Sequence, residues 1–216
     1  MQRRAFSFSA ASLALAGSSL PVIASAQAPA FQSGKDYLVV GKPALTDAPA
    51  GKIEVAEFFW YNCPHCNEFE PMFDAWTKKA PKNISVRRVP VAFRADFEPQ
   101  QRLYYVLEGL GKIDDLHKKV FNAIHNEKQQ LNKLDQITAW VEKQGIPKAK
   151  FLELYNSFSI ATKVRKATQL QDAYMVDGVP ALGINGRYFT SATQARTMER
   201  ALQVTDYLVA QSASAK

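Results

Sequence analysis

Cysteine is nearly missing from this chain, with two in 216 residues. Small exported domains stapled by disulfides carry more, spread along the sequence. Here both cysteines stand in one tetrapeptide, Cys63-Pro64-His65-Cys66. A bridge between them closes a very short loop. Such a bridge contributes on the order of 2 kcal/mol in the chain-entropy picture, against about 5 for a loop of ~100 residues. A pair placed so poorly for stapling points to chemistry instead. With no other cysteine, a zinc site lacks its four ligands. His117 and His125 lie far along the sequence and read as surface or core histidines. Haem attachment needs histidine directly after the second cysteine, and Asn67 is there. Dense basic runs interleaved with aromatics are also missing. Lysines and arginines are scattered (Lys78-Lys79, Arg87-Arg88, Lys118-Lys119, Lys148, Lys150), so the formal charge of +7 does not indicate nucleic-acid binding.

Long apolar runs are missing beyond the first residues, so no later stretch spans a bilayer. The start itself is basic (Arg3-Arg4). Small and apolar residues follow to position 20, then Pro21 and Ala24-Ser25-Ala26. This is the pattern of a secretory signal peptide over residues 1–26, cleaved after Ala26 or after Ala28. Arg3-Arg4-Ala5-Phe6 hints at twin-arginine export, and the general secretory route stays open beside it. Loss of Arg3 and Arg4 lowers the net charge by two.

What is present is an ordinary globular composition, 47% apolar and 22% charged. Residues 37–40 read as a short strand. Residues 53–60 form an apolar run, broken by Glu54 and Glu57, that suits a strand buried on both faces. After the cysteines, Phe69, Met72, Phe73 and Trp76 repeat like one face of a helix, with a kink expected at Pro71. Residues 84–91 read as another strand. From 99 to 174 the period is helical throughout, with stripes such as Leu103, Val106, Leu107 and Leu110. Strand signals return at 181–184 and 187–190 around Asn185-Gly186, a strong hairpin signal. Residues 193–210 read as one closing helix, and 211–216 as frayed.

Two cysteines three apart, where a buried strand meets a helix, have a specific physical meaning. Cys63 at the helix start would face free N–H groups and the positive dipole end, which favour thiolate over thiol. His65 between the cysteines can add a hydrogen bond or a positive charge. Each unit of pKa lowering is about 1.4 kcal/mol of preference for the thiolate. Where only the reduced state enjoys that preference, the disulfide becomes a good oxidant. Cys63 is therefore the expected nucleophile, and Cys66, a turn further in, the buried resolving cysteine. Pro64 suits the first helical turn, where its missing N–H is no loss. Glu57, six residues before Cys63, has two readings. It is a buried acid of raised pKa that accepts or relays the proton of Cys66, or an edge residue paired with a lysine or Arg88. Val179-Pro180, after a helix end and before a strand, is a site where a cis bond is plausible.

Glu57-Phe58-Phe59, Cys63-Pro64-His65-Cys66, Phe69-Glu70, Gly178-Val179-Pro180-Ala181 and Asn185-Gly186-Arg187-Tyr188 together resemble the DsbA family of periplasmic thiol:disulfide oxidases. The likeness runs from about Gly34 to the last helix. It implies an α/β fold: a thioredoxin fold with a helical domain inserted between its βαβ and ββα halves. The thioredoxin-like part would cover 27–98 and 175–216, and the insert 99–174. It implies that Pro180 is cis beside the disulfide and that Val179 offers backbone bonds to a bound peptide strand. It supports Glu57 as the buried acid. It implies no cofactor beyond the Cys63–Cys66 disulfide and no metal. The implied partners are unfolded exported proteins with free thiols and a DsbB-like membrane quinone reductase, with a monomeric protein in the periplasm. DsbA is the general example of a low-pKa cysteine with an oxidising disulfide, so those properties belong to the resemblance. The family often places a lysine near the acid, where this chain has Arg88. Arginine is effectively always charged and cannot relay a proton, so no relay is expected through Arg88.

Two other functions compete. A disulfide isomerase or reductase uses the same motif, but periplasmic isomerases carry an N-terminal dimerisation domain. About 25 residues between the cleavage site and Ile53 are too few for one. A periplasmic chaperone with an inert motif would keep its activity without Cys63.

Overall fold

The computed structural model describes residues 31–214. The signal-peptide reading of residues 1–26 lies outside them. A short strand, β1 (Leu38–Val39), precedes β2 (Ile53–Phe59), a helix α1 (Pro64–Lys79) and β3 (Ile84–Pro90). A 3-10 turn (Ala95–Phe97) leads into five helices: α2 (Glu98–Gly109), α3 (Ile113–His125), α4 (Leu134–Lys143), α5 (Lys148–Tyr155) and α6 (Phe158–Ala173). Then come β4 (Ala181–Ile184), β5 (Tyr188–Ser191), α7 (Ala192–Ala195) and α8 (Met198–Ser214). The sheet order is β1-β5-β4-β2-β3, with β3 parallel to β2 and the other neighbours antiparallel. A βαβ half and a ββα half therefore share one sheet, joined through the helical segment.

The central strand β2 is buried along its whole length. Its side chains alternate between faces. Ile53 and Val55 enter the core under α1 and α8, with Phe69, Phe73, Val204 and Leu208. Ala56 and Phe58 enter a second core with Leu103, Leu107, Val120 and Trp140 of the helical segment. The parallel register sets Glu57 beside Arg88. At the hairpin, Asn185 (φ 52°) and Gly186 (φ 70°) are both left-handed, as a two-residue turn between twisted strands requires.

Helix α1 carries Pro71 inside one continuous element. Two local expectations change. The single closing helix is two, because Arg196 at φ 75° ends α7 and Thr197 then starts α8, its hydroxyl accepting the Arg200 N–H at 3.1 Å. Residues 211–214 continue α8 and Ser212 is buried, so they are not frayed. Among the described residues no helix is long and apolar enough to cross a membrane.

Candidate active site

Strand β2 ends at Phe59, and a turn of four residues carries the chain to α1, with the Cys63 N–H donating to the Trp60 carbonyl at 3.0 Å. Cys63 is the N-cap of α1 in extended conformation, and Pro64 occupies the first turn. The first turn of α1 carries no carboxylate, so a Cys63 thiolate does not compete for its free N–H groups. The Cys66 N–H donates to Cys63 Sγ at 3.4 Å. On the other side, Cys63 Sγ lies 3.4 Å from the Val179 carbonyl oxygen. The Val179–Pro180 bond is cis. The structure thus brings Cys63, Pro64, His65, Cys66, Val179 and Pro180 together across a gap of more than a hundred residues. The two cysteines are unbridged thiols.

Their environments differ as a nucleophile and a resolving thiol require. Cys63 is 8% exposed and Cys66 1%. The Cys63 thiol is lowered to about 6. The hydrogen bond from Cys66 is the main cause, outweighing burial, with help from the backbone N–H groups of Cys66 and His65 and from the His65 charge. Burial pushes Cys66 up, and Cys63 and Glu57 add to it.

Glu57, 2% exposed, is not at an edge, because β2 lies between β4 and β3, but it does take the arginine partner of that reading. It is buried, and it meets Arg88, whose Nε is 3.1 Å from its Oε2. Burial raises its carboxyl to about 8, because the attraction of Arg88 offsets only part of the desolvation and Glu70 adds repulsion. Arg88 also donates through Nη2 to both carboxylate oxygens of Glu70, each at 3.1 Å. Burial acts to raise Glu70 too, yet His117 and Arg88 outweigh it and hold it below the ordinary range. Glu70, Tyr61, His117 and His125 are the site residues that sequence reasoning missed. Glu70 lay seven residues past Cys63, a spacing that places it on the inner face of α1. The histidines gave no usable signal, because only the fold brings α3 to the turn.

Beside the cysteines lies a groove of about 400 Å³ lined by His65, Phe69, Met72, Val179, Pro180 and Met198 among others. Among the described residues no group of three or more His, Cys, Asp or Glu is placed to hold a metal ion.

A thioredoxin-type sheet with an acidic N-cap cysteine, a buried partner three residues on and a cis-proline loop against the sulfur defines a thiol:disulfide oxidoreductase. The comparisons with known proteins narrow that class. Residues 54–203 match the DSBA-like thioredoxin domain family. The chain is 45% identical over 188 residues to the thiol:disulfide interchange protein DsbA of Burkholderia cepacia, covering 87% of this chain and 88% of that one. It is 42% identical to that of Bordetella parapertussis over 213 residues, 98% and 99% of the two chains. The crystal structure of Pseudomonas aeruginosa DsbA superposes with a TM-score of 0.81 at 37% identity, covering 86% of this chain and 96% of that one. The chain belongs to the DsbA family, and its helical segment is that family's insertion into the thioredoxin fold.

Proposed function

We propose that this protein donates its Cys63–Cys66 disulfide to newly exported proteins in the periplasm. The observation that carries the reading is the N-cap position of Cys63, with a donor N–H on its sulfur and no first-turn carboxylate. A substrate thiolate attacks Cys63 Sγ, the Cys63–Cys66 bond breaks, and Cys66 leaves with the electron pair. Cys66 then takes up a proton, since burial disfavours its anion. Glu57, poised at about 8, is suited to hand over that proton near neutral pH. Arg88 keeps its charge and so holds the carboxyl in place without relaying. A second substrate thiolate attacks the substrate sulfur of the mixed disulfide and releases Cys63 as thiolate, the better leaving group of the two.

The substrate strand would lie in the groove, with Val179 supplying backbone bonds and Pro180 the wall beside the disulfide. Met72 and Met198 line the groove with flexible, polarizable side chains that adapt to many sequences. A DsbB-like membrane quinone reductase would restore the disulfide. Signal-peptide cleavage, the monomeric state and the absence of any cofactor beyond the disulfide belong to the same reading.

Cys63→Ser should abolish oxidation of a reduced, unfolded substrate while the fold, followed by circular dichroism, persists. Retained activity overturns the proposal. Equilibration of the wild type with glutathione should give an oxidising couple. A potential as low as thioredoxin's would favour the reductase reading.

A further inference from the structure

Tyr61 sits in the turn between β2 and Cys63 and is 1% exposed. Three residues of α3 reach it. His117, Phe121 and His125 stand at i, i+4 and i+8, one face of a helix. His117 Nδ1 is 2.8 Å from the Tyr61 hydroxyl. The Phe121 ring meets the Tyr61 ring edge-on at 5.1 Å. His125 Nε2 is 2.8 Å from the Tyr61 carbonyl oxygen. A helix from the inserted segment therefore holds one turn residue by its hydroxyl, its ring and its backbone.

A carbonyl only accepts, so His125 carries its proton on Nε2. The Tyr61 hydroxyl can donate or accept, so its bond to His117 Nδ1 forms with either tautomer. On its other side His117 Nε2 lies 3.4 Å from Oε2 of Glu70, near enough for attraction but without a hydrogen bond. His117 thus stands between Tyr61 and the buried Glu70–Arg88–Glu57 cluster. Lys118, the next residue of α3, pairs with Asp74 of α1, so α3 is docked on α1 at a second point.

We propose that His117 and His125 are positioning residues for the thiol–disulfide reaction, holding Tyr61 and through it the turn that presents Cys63 to the amide groups of α1. Neither touches the reacting sulfurs. Their effect passes through geometry. Tyr61 stands two residues before the N-cap, and the Trp60–Cys63 hydrogen bond closes the turn around it. The hold on the thiolate is exerted by the Cys66 thiol, by the N–H groups of Cys66 and His65 and by the helix end, all of them confined to the first turn of the helix. A turn free to shift lets the sulfur leave those donors for part of the time, and its thiol titrates closer to ordinary cysteine.

The proposal rests on Cys63 as the reactive thiol and is tested apart from it. The reduced wild type is titrated by its ultraviolet thiolate absorbance, beside Tyr61→Phe, His125→Ala, His125→Gln and the double variant Tyr61→Phe/His125→Ala. In the double variant the Cys63 pKa should rise by about one unit, and its equilibrium with glutathione should shift about tenfold toward the disulfide. His125→Gln, whose amide still donates to the carbonyl, should recover most of the His125→Ala change. Tyr61→Phe keeps the ring packed and carries the decision if the double variant does not fold. Folded variants that titrate and equilibrate like the wild type overturn the proposal. A wild type that itself titrates near 8.5 overturns the reading of Cys63 instead.

Discussion

At the residue scale, the site depends on acids and thiols moved in opposite directions by their surroundings. Cys63 is held low by donors and Cys66 high by burial, although three residues separate them. Glu57 is the less obvious member, an acid kept in the core of the central strand. Its folded carboxyl, raised to about 8, prefers the proton. Its contribution to stability is therefore full below the ordinary carboxylate range and is lost as pH rises through about 8. Glu57→Gln removes that titration and leaves Arg88 paired with Glu70. The thermal midpoint of the variant should gain on the wild type between pH 5 and pH 9 by a few degrees, at about 2–4 °C per kcal/mol for a chain of this size. A variant whose midpoint holds level with or loses ground to the wild type across that range would show that Glu57 is ionised in the fold.

At the element scale, the hairpin of β4 and β5 places the cis-proline loop against Cys63, and it is locked by a tyrosine from outside. The Tyr174 hydroxyl accepts the Gly186 N–H at 2.8 Å, and its ring lies flat enough on β4 that a Cβ at Gly183 would come within 2.6 Å of it. The ring is fully buried and cannot step aside. Gly183→Ala should cost about 1–3 kcal/mol, the usual range for overpacking. Urea unfolding should show a lower midpoint with an unchanged slope, and an unaltered midpoint would mean that Tyr174 can move. Asn185-Gly186 announced this hairpin in the sequence because the turn is a local event. The lock by Tyr174 was hidden because that residue belongs to the helical stretch by its pattern and to the hairpin by its contact.

At the scale of the whole molecule, the helical segment and the sheet share one core. Phe58 and Phe59 of β2 pack in the same cluster as Leu107, Val120 and Trp140. We propose residues 99–174 as an inserted domain that cannot bury its apolar faces alone, since the sheet supplies the other half of that core. The redox state should register on the stability of the whole chain. The lowered Cys63 pKa stabilises the reduced fold above the ordinary thiol range, and that contribution is lost as pH falls through about 6. The disulfide form has no thiolate and lacks it. Cys66, pushed up by burial, stays protonated below pH 8. The thermal midpoint of reduced minus oxidised protein should therefore fall as pH is lowered from 8 to 5. A difference independent of pH in that window would place the oxidising power elsewhere than in the Cys63 anion.

The sequence by itself determined the chemistry and the order of elements. A cysteine pair at a strand–helix junction, a buried apolar strand, a run of helical period and a two-residue turn are local patterns, written by residues near one another in the chain. It also carried Val179 and Pro180 as a motif, whose place beside the disulfide came from the family resemblance and not from the residues themselves. Only the tertiary structure decided how distant groups meet: it chose Arg88 for Glu57 and added Glu70, set the Val179 carbonyl against the Cys63 sulfur, and brought to Tyr61 two histidines that the sequence offered only as surface or core residues. Those meetings depend on strand register and on where the helical segment docks. Both are set by burying apolar surface across the whole molecule, and no short stretch of sequence records the outcome.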